Sequence, residues 1–305
     1  MPSADEARAR DWLGGDRLAV SLVVNVEEGA QLSIAQGDER NEAVYEVVEG
    51  IEGVPDPCMD SHFDYGAGPG WARIRKALRE RGLAATLNAC GRALRAHPHI
   101  AREAVADGHE VAAHGWRWER HAHMSEAEER RAIGRTVAAI AETAGTPPVG
   151  WHTRSATSVN TRRLLLEQGG FLYDSNAYDS DTPYLLSEGG RDHVVLPYAF
   201  DTNDMRFQRQ GGFVFAEDFA RYGIAAFERL FAEGAEAPRM LSIGLHLRII
   251  GRPARIGGLE ALLDHIVDRP GVRVMPRAEI AHAWRAAMGL DRWAQRAPLS
   301  DFPRT

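Results

Sequence analysis

The chain has 305 residues with ordinary apolar, charged, glycine and proline fractions, enough to bury a sizeable core at the upper edge of one large domain. Its net charge of -7 at pH 7 offers no bulk basic surface, so neither a nucleic-acid nor a membrane partner is expected. No stretch approaches the roughly 18 apolar residues of a membrane span, and Met1 to Glu6 lacks a basic segment leading into an apolar core, which points to a cytoplasmic protein.

In chain order, Leu18 to Val24 is a continuous apolar run and reads as a buried strand, ending at the adjacent acids Glu27 and Glu28 and at Gly29. A Gly, Pro and Asp-rich insertion from Glu49 to Gly70 follows, then an amphipathic helix through Trp71, Ile74 and Leu78. Ala84 to Leu87 reads as strand two, Ile100 to Ala106 as a helix stopped by Asp107-Gly108, and Glu110 to Ala113 as strand three. Ser125-Glu126-Ala127-Glu128 resembles a helix N-terminus, a capping residue followed by early acids, opening a helix to about Ala144. Strands at Gly150-Trp151, Leu172 to Asp174, His193 to Pro197, Met240 to Leu245 and Val272 to Val274 alternate with helices at Asn160 to Gln168, Ala216 to Glu233 and Leu259 to Val267. The tail from Ala297 to Pro303 reads as irregular. This alternation, with no GxGxxG or P-loop after any strand, favours a parallel α/β barrel over a nucleotide-binding open sheet. Cys58 and Cys90 lack metal-ligand or redox spacing and read as ordinary thiols.

Side chains suited to chemistry gather where these strands stop. Glu27 and Glu28 follow the first, His114-Gly115-Trp116-Arg117-Trp118 the third, Trp151-His152-Thr153-Arg154 the fourth, Asp174 the fifth, Asp201-Thr202-Asn203-Asp204 the sixth, and His246 the seventh. Successive strand residues face opposite ways, so both glutamates reach one site only if the strand is already turning there, which Gly29 permits. Each group has a bland reading: a core histidine, tryptophans closing a barrel mouth, arginines in surface ion pairs, and a turn or cap at Asp201 to Asp204. Their joint placement at strand ends is the layout of a barrel active site.

The acid pair after strand one, Gly-His-Glu-Val-Ala-Ala-His-Gly over 108–115, and Leu245-His246 at a late strand together resemble the polysaccharide deacetylase (NodB-homology) family over about 17–285. The resemblance implies a distorted (β/α)7 barrel, with 1–305 forming a single catalytic domain. In that family two adjacent aspartates follow strand one, the first a base and the second a metal ligand, and two histidines four residues apart complete a zinc site. Here the acids are glutamates, and the position four after His114 is Trp118. With one ligand gone no metal is expected; zinc stays the disfavoured alternative, with His121 and His123 the nearest substitutes.

The blocks around His114 to Trp118, Pro148 to Trp151, Asn160 to Leu164, Gly169 to Asp174, Asp201 to Phe207 and Ser242 to Arg255 are similar to the cofactor-independent allantoinases and metal-free cyclic imidases of that superfamily. This implies hydrolytic opening of a cyclic amide, ureide or imide without a cofactor. Glu27 or Glu28 would deprotonate water, His114 and His246, with Arg154 or backbone amides as further candidates, would steady the oxyanion, one histidine would protonate the leaving nitrogen, and Trp116, Trp118, Trp151, Arg154, Asn203 and Arg252 would line the substrate. A zinc-dependent polysaccharide or peptidoglycan N-deacetylase is the alternative, and an inactive barrel acting as a binding protein the second. The strand-four loop, His152-Thr153-Arg154-Ser155, departs from that branch and leaves the ring open. The apolar and aromatic content of the 49–70 insertion makes a homo-oligomer the expectation, with this segment reaching a neighbour or covering the site.

Overall fold

In the computed structural model, which describes residues 9, 11–47, 49–154, 156–188, 191–208 and 211–295, the first apolar run is β1 (Leu18–Val26). All nine of its residues are buried because it has paired neighbours on both edges and helices over its outer face. On one edge it pairs in parallel with β8 (Arg239–His246) over eight positions, ending with Asn25 opposite His246. The other edge is shared between β2 (Thr86–Ala89), opposite Val23–Val26, and β9 (Val272–Val274), opposite Leu18–Val20. From β2 the parallel sheet continues through β3 (Glu110–Ala113), β4 (Gly150–Trp151), β5 (Tyr173–Asp174) and β7 (Arg191–Val195). The strand β6 (Tyr184–Glu188) adds an antiparallel edge to β7. The expected distorted (β/α)7 barrel is therefore the fold, its parallel strands ordered 7-5-4-3-2-1-8 in a curled sheet.

The helices are α1 (Pro57–Tyr65), α2 (Trp71–Arg79), α3 (Gly91–Ala96), α4 (Pro98–Ala106), α5 (Glu126–Ala144), α6 (Thr161–Gln168), α7 (Ala216–Glu233), α8 (Pro253–Ile266) and α9 (Arg277–Ala287). The Ser125 and Glu128 side chains do form the reciprocal cap of α5. The Gly, Pro and Asp-rich insertion 49–70 contains α1, started by the Asp56 side chain accepting from the Met59 N–H and by Pro57 in the first turn. Phe63 on α1 is buried against Trp118, so this segment packs on its own chain. The tail 297–303 lies outside the described residues. Among the described residues no helix is long and apolar enough to cross a membrane.

No ladder joins β7 to β8 among the described residues. The gap is bridged by the segment after β7, where the Thr202 carbonyl accepts from the Gly244 N–H at 3.0 Å, and by the buried guanidinium of Arg277. Arg277 donates to Ser242 Oγ at 2.8 Å, Ser175 Oγ at 2.9 Å and the Pro197 carbonyl at 2.9 Å. Burial lowers its pKa, and these neutral acceptors replace the water it loses.

Candidate active site

The strand ends converge on a cavity of about 530 Å³ at the C-terminal mouth of the barrel. Glu27 lies on its floor, 2 % exposed, with Oε1 3.4 Å from His114 Nε2 and 3.8 Å from His246 Nε2. Its other oxygen, Oε2, accepts from Arg248 Nη1 at 2.7 Å. Burial opposes the charge on Glu27, but His246, Arg248 and His114 outweigh it and hold its carboxyl well below the ordinary 4.5.

Glu28 turns the other way and is not part of the cavity wall. Its Oε2 accepts from the Glu27 N–H at 2.9 Å, and its Oε1 is buried without a hydrogen-bond partner. That carboxylate fits only because residue 66 is glycine: a Cβ there would lie 2.4 Å from Oε1. Burial, with Glu27 adding to it and Arg248 opposing, pushes Glu28 up to about 7. The adjacent acids are thus divided, one ionised in the cavity and one sealed behind it. Gly29, at φ 91°, does turn the chain at this point, but the turn does not bring both acids into one site.

The two histidines are oriented from behind. His114 Nδ1 is 2.6 Å from the His152 carbonyl, which only accepts, so Nδ1 carries a proton and Nε2 is presented to Glu27. His246 Nδ1 is 2.6 Å from Asp204 Oδ1, while Asp204 Oδ2 accepts the main-chain N–H of His246 at 2.7 Å and of Ile250 at 3.1 Å. Burial alone would lower His246; Asp204 and Glu27 raise it above the ordinary value. His152 also lines the cavity, and burial together with His114 and Arg277 holds it well below the ordinary imidazole value.

Trp118, Arg154 and Asn203 stand in the cavity wall, Arg154 with its guanidinium 3.4 Å above the Trp118 ring. The structure does not bring Trp116, Trp151 or Arg252 there. Gly115, at φ 93°, reverses the chain so that Trp116 packs on α5 under Arg135. Trp151 and His152 point to opposite sides of β4; His152 takes the cavity side, and Trp151, fully buried, packs against Phe171 and bonds Thr153 Oγ1 at 2.7 Å. Arg252 turns to α1, stacking on Tyr65 and donating to His62 Nδ1 at 2.8 Å.

Sequence reasoning missed Arg248 and Tyr198 as wall residues. Asn25 and Asn203 each donate a side-chain N–H to the Tyr198 hydroxyl, at 3.3 Å and 3.2 Å. Both amide orientations are pinned by the main chain: Asn25 Nδ2 also faces the Leu245 carbonyl, and Asn203 Oδ1 accepts the Met205 N–H. The Tyr198 proton therefore has no acceptor among the described residues and is left for a cavity occupant. The signal available was Tyr198 itself, an aromatic one residue past Pro197 at a strand end.

The donor set does not fit a divalent metal. Among the described residues no three His, Cys, Asp or Glu side chains converge in metal-holding geometry. The Arg248 guanidinium, 2.7 Å from Glu27 and 4.0 Å from Glu28, places a fixed positive charge against both acids. Trp118 offers no ligand. His121 bonds Glu129 at 3.0 Å beneath Trp151, and His123 is exposed outside the cavity, so neither substitutes.

Comparison with known proteins places this barrel in a family. The polysaccharide deacetylase family pattern matches residues 52–173. A Schizosaccharomyces pombe protein named "Putative polysaccharide deacetylase" is 34% identical over 297 residues, spanning 90% of this chain and 92% of its own length. The chain belongs to the polysaccharide deacetylase family and is a hydrolase of that family. Two solved structures are similar at 41% identity. One is of a probable polysaccharide deacetylase from Pseudomonas aeruginosa PAO1, with TM-score 0.87 over 91% of this chain and 94% of that one. The other is of PuuE allantoinase, with TM-score 0.86 over 91% and 93%.

Proposed function

We propose that this protein opens the ring of a small cyclic amide, ureide or imide by metal-independent hydrolysis of a C–N bond. The observation that carries the reading is Glu27: an ionised carboxylate on a closed floor, within 4 Å of two imidazoles, in a chain 41% identical to PuuE allantoinase. In this reading Glu27 takes a proton from water as its oxygen adds to the ring carbonyl, and the carbonyl electron pair moves onto oxygen. The C–N bond then breaks as that pair returns, and the nitrogen takes the Nε2 proton of His246, whose charged form Asp204 favours. Glu27 returns its proton to His246 across 3.8 Å, and both groups regain their resting forms.

Depth supports a small substrate. The reacting groups are at most 4 % exposed, beneath walls formed by Trp118, Arg154, Phe200 and Met205, so a compact ring reaches them more readily than a polymer chain. Purified protein, treated with chelator and analysed for metal, is assayed on allantoin, hydantoin, dihydrouracil, succinimide and an N-acetylated sugar oligomer. Ring opening by the metal-free protein is the expected result; turnover of the oligomer alone, restored only by zinc, overturns the reading in favour of a deacetylase.

A further inference from the structure

Arg248 lies in the turn after β8 and is 2 % exposed. Two of its three nitrogens are committed to carboxylates, Nη1 to Glu27 at 2.7 Å and Nε to Glu46 at 3.1 Å, and Glu28 lies 4.0 Å from Nη1. Its guanidinium is 4.7 Å from the ring centre of Phe63 on α1 and 5.3 Å from that of Trp118. Charged and planar, held by side chains from several separate segments, it cannot swing to a second position without breaking a buried ion pair. The third nitrogen, Nη2, meets no acceptor among the described residues, and Arg248 lines the same cavity as Glu27, His114 and His246.

We propose that Arg248 is the resident cation of this site: its Nη1 edge holds Glu27 ionised as the base, and its open Nη2 edge binds the oxygen that becomes negative when water adds to the scissile carbonyl. The proposal rests on the C–N hydrolysis described above. It assigns to a side chain of the protein the charge stabilisation that a preorganised donor supplies best in a dry site, where it needs no reorganisation at the moment of reaction. The proton from water goes to Glu27, the electron pair on oxygen is met by Nη2–H, and the pair returns when the nitrogen leaves. Since Glu27, Glu28 and Glu46 all face this one guanidinium, removing it leaves a hole of guanidinium shape beside buried carboxylates.

The test uses the full chain with Arg248→Ala and Arg248→Lys. Arg248→Ala is expected to lose about 10³-fold in kcat/KM and to regain at least about tenfold in tens of millimolar guanidinium chloride. Calorimetry is expected to show saturable guanidinium binding to that variant and none to the unaltered protein. Arg248→Lys keeps the charge but not the fork, and its kcat is expected to fall about 10²-fold with KM held within about threefold. An Arg248→Ala protein that folds but binds no guanidinium, or an Arg248→Lys protein with kcat within about threefold of the parent, overturns the proposal. If Arg248→Ala does not fold, the lysine variant decides. If the unaltered protein hydrolyses no cyclic substrate, the functional reading fails by itself, and guanidinium capture still tests whether the site is built around this cation.

Discussion

On one side of the barrel the main-chain ladders are long: β1 meets β8 over eight positions, and β1 to β2 and β2 to β3 each run over four. On the other side β3 meets β4 at one position, β4 to β5 and β5 to β7 share two each, and β7 and β8 share no ladder among the described residues. Glu27, His114 and His246 stand at the ends of the long-laddered strands. Tyr198, Phe200 and Asn203 come from the segment that spans the gap. A ladder fixes where a strand end sits, so groups that must exchange protons belong on the first side. A connecting segment pinned by a few contacts can be reshaped to fit a ligand, which suits the second to recognition.

If that division holds, the largest effect comes from the first side. Glu27→Gln keeps the shape of the base without its charge, and kcat of the folded variant is expected to fall by about 10³-fold, with a lower thermal unfolding midpoint because Arg248 loses a buried partner. A variant that retains a tenth of the activity places the base elsewhere and breaks the comparison at its centre. Asp204→Asn is expected to come next, at about 10²-fold in kcat, because it removes the charge that orients and protonates His246. Activity needs Glu27 ionised, with its pKa lowered, and His246 protonated, with its pKa raised. The kcat/KM profile is then a bell whose acid limb lies below 4.5 and whose basic limb lies above 6.5. Asp204→Asn moves the basic limb to lower pH, and an unmoved limb removes His246 as the acid.

The second side is expected to respond differently. Tyr198→Phe deletes one proton aimed at the cavity occupant, and about a tenfold rise in KM with kcat nearly unchanged marks loss of binding rather than of chemistry. A fall in kcat of the size seen for Asp204→Asn puts Tyr198 in the reacting set and erases the distinction between the two sides.

How much of this was legible in the sequence follows the same division. The bounds of Glu110–Ala113 and Ala216–Glu233 are legible because the Asp107-Gly108 stop before the one and the helical periodicity of the other are local signals. Glu27, His114 and His246 were legible for that reason, each standing where a recognisable strand stops. Arg248 was not: it lies past the strand in a turn between Leu247 and Ile249, and its meaning comes from Glu46, some two hundred residues away in sequence. Position at a strand end points Trp116 and Trp151 to the wall but does not say which face a side chain takes. The reversal at Gly115 and the alternation along β4 decided that. The helix α1 was hidden in an insertion rich in turn formers, whose Asp56-Pro57 start is a cap signal outweighed by its neighbours.

Glu28 supplies the smallest and subtlest test, because it belongs to the long-laddered side by sequence but not by contact. Its pKa is raised in the folded chain to about 7 from an ordinary 4.5, so between those values the folded state holds a proton that the unfolded state has released. Stability is then greatest below about 4.5, falls as pH rises through 7, and stays reduced above it, by an amount on the order of 1–3 kcal/mol. Glu28→Gln cannot ionise and escapes this loss, while its amide oxygen can still accept the Glu27 N–H. The unfolding midpoint of Glu28→Gln relative to the parent is therefore expected to rise from pH 5 to pH 8, with kcat at pH 6 changed by less than about tenfold. A stability difference flat across that range shows that Glu28 does not titrate in its sealed position. A loss of activity matching that of Glu27→Gln shows instead that the two acids work as one unit, and that the turn at Gly29 does not separate them.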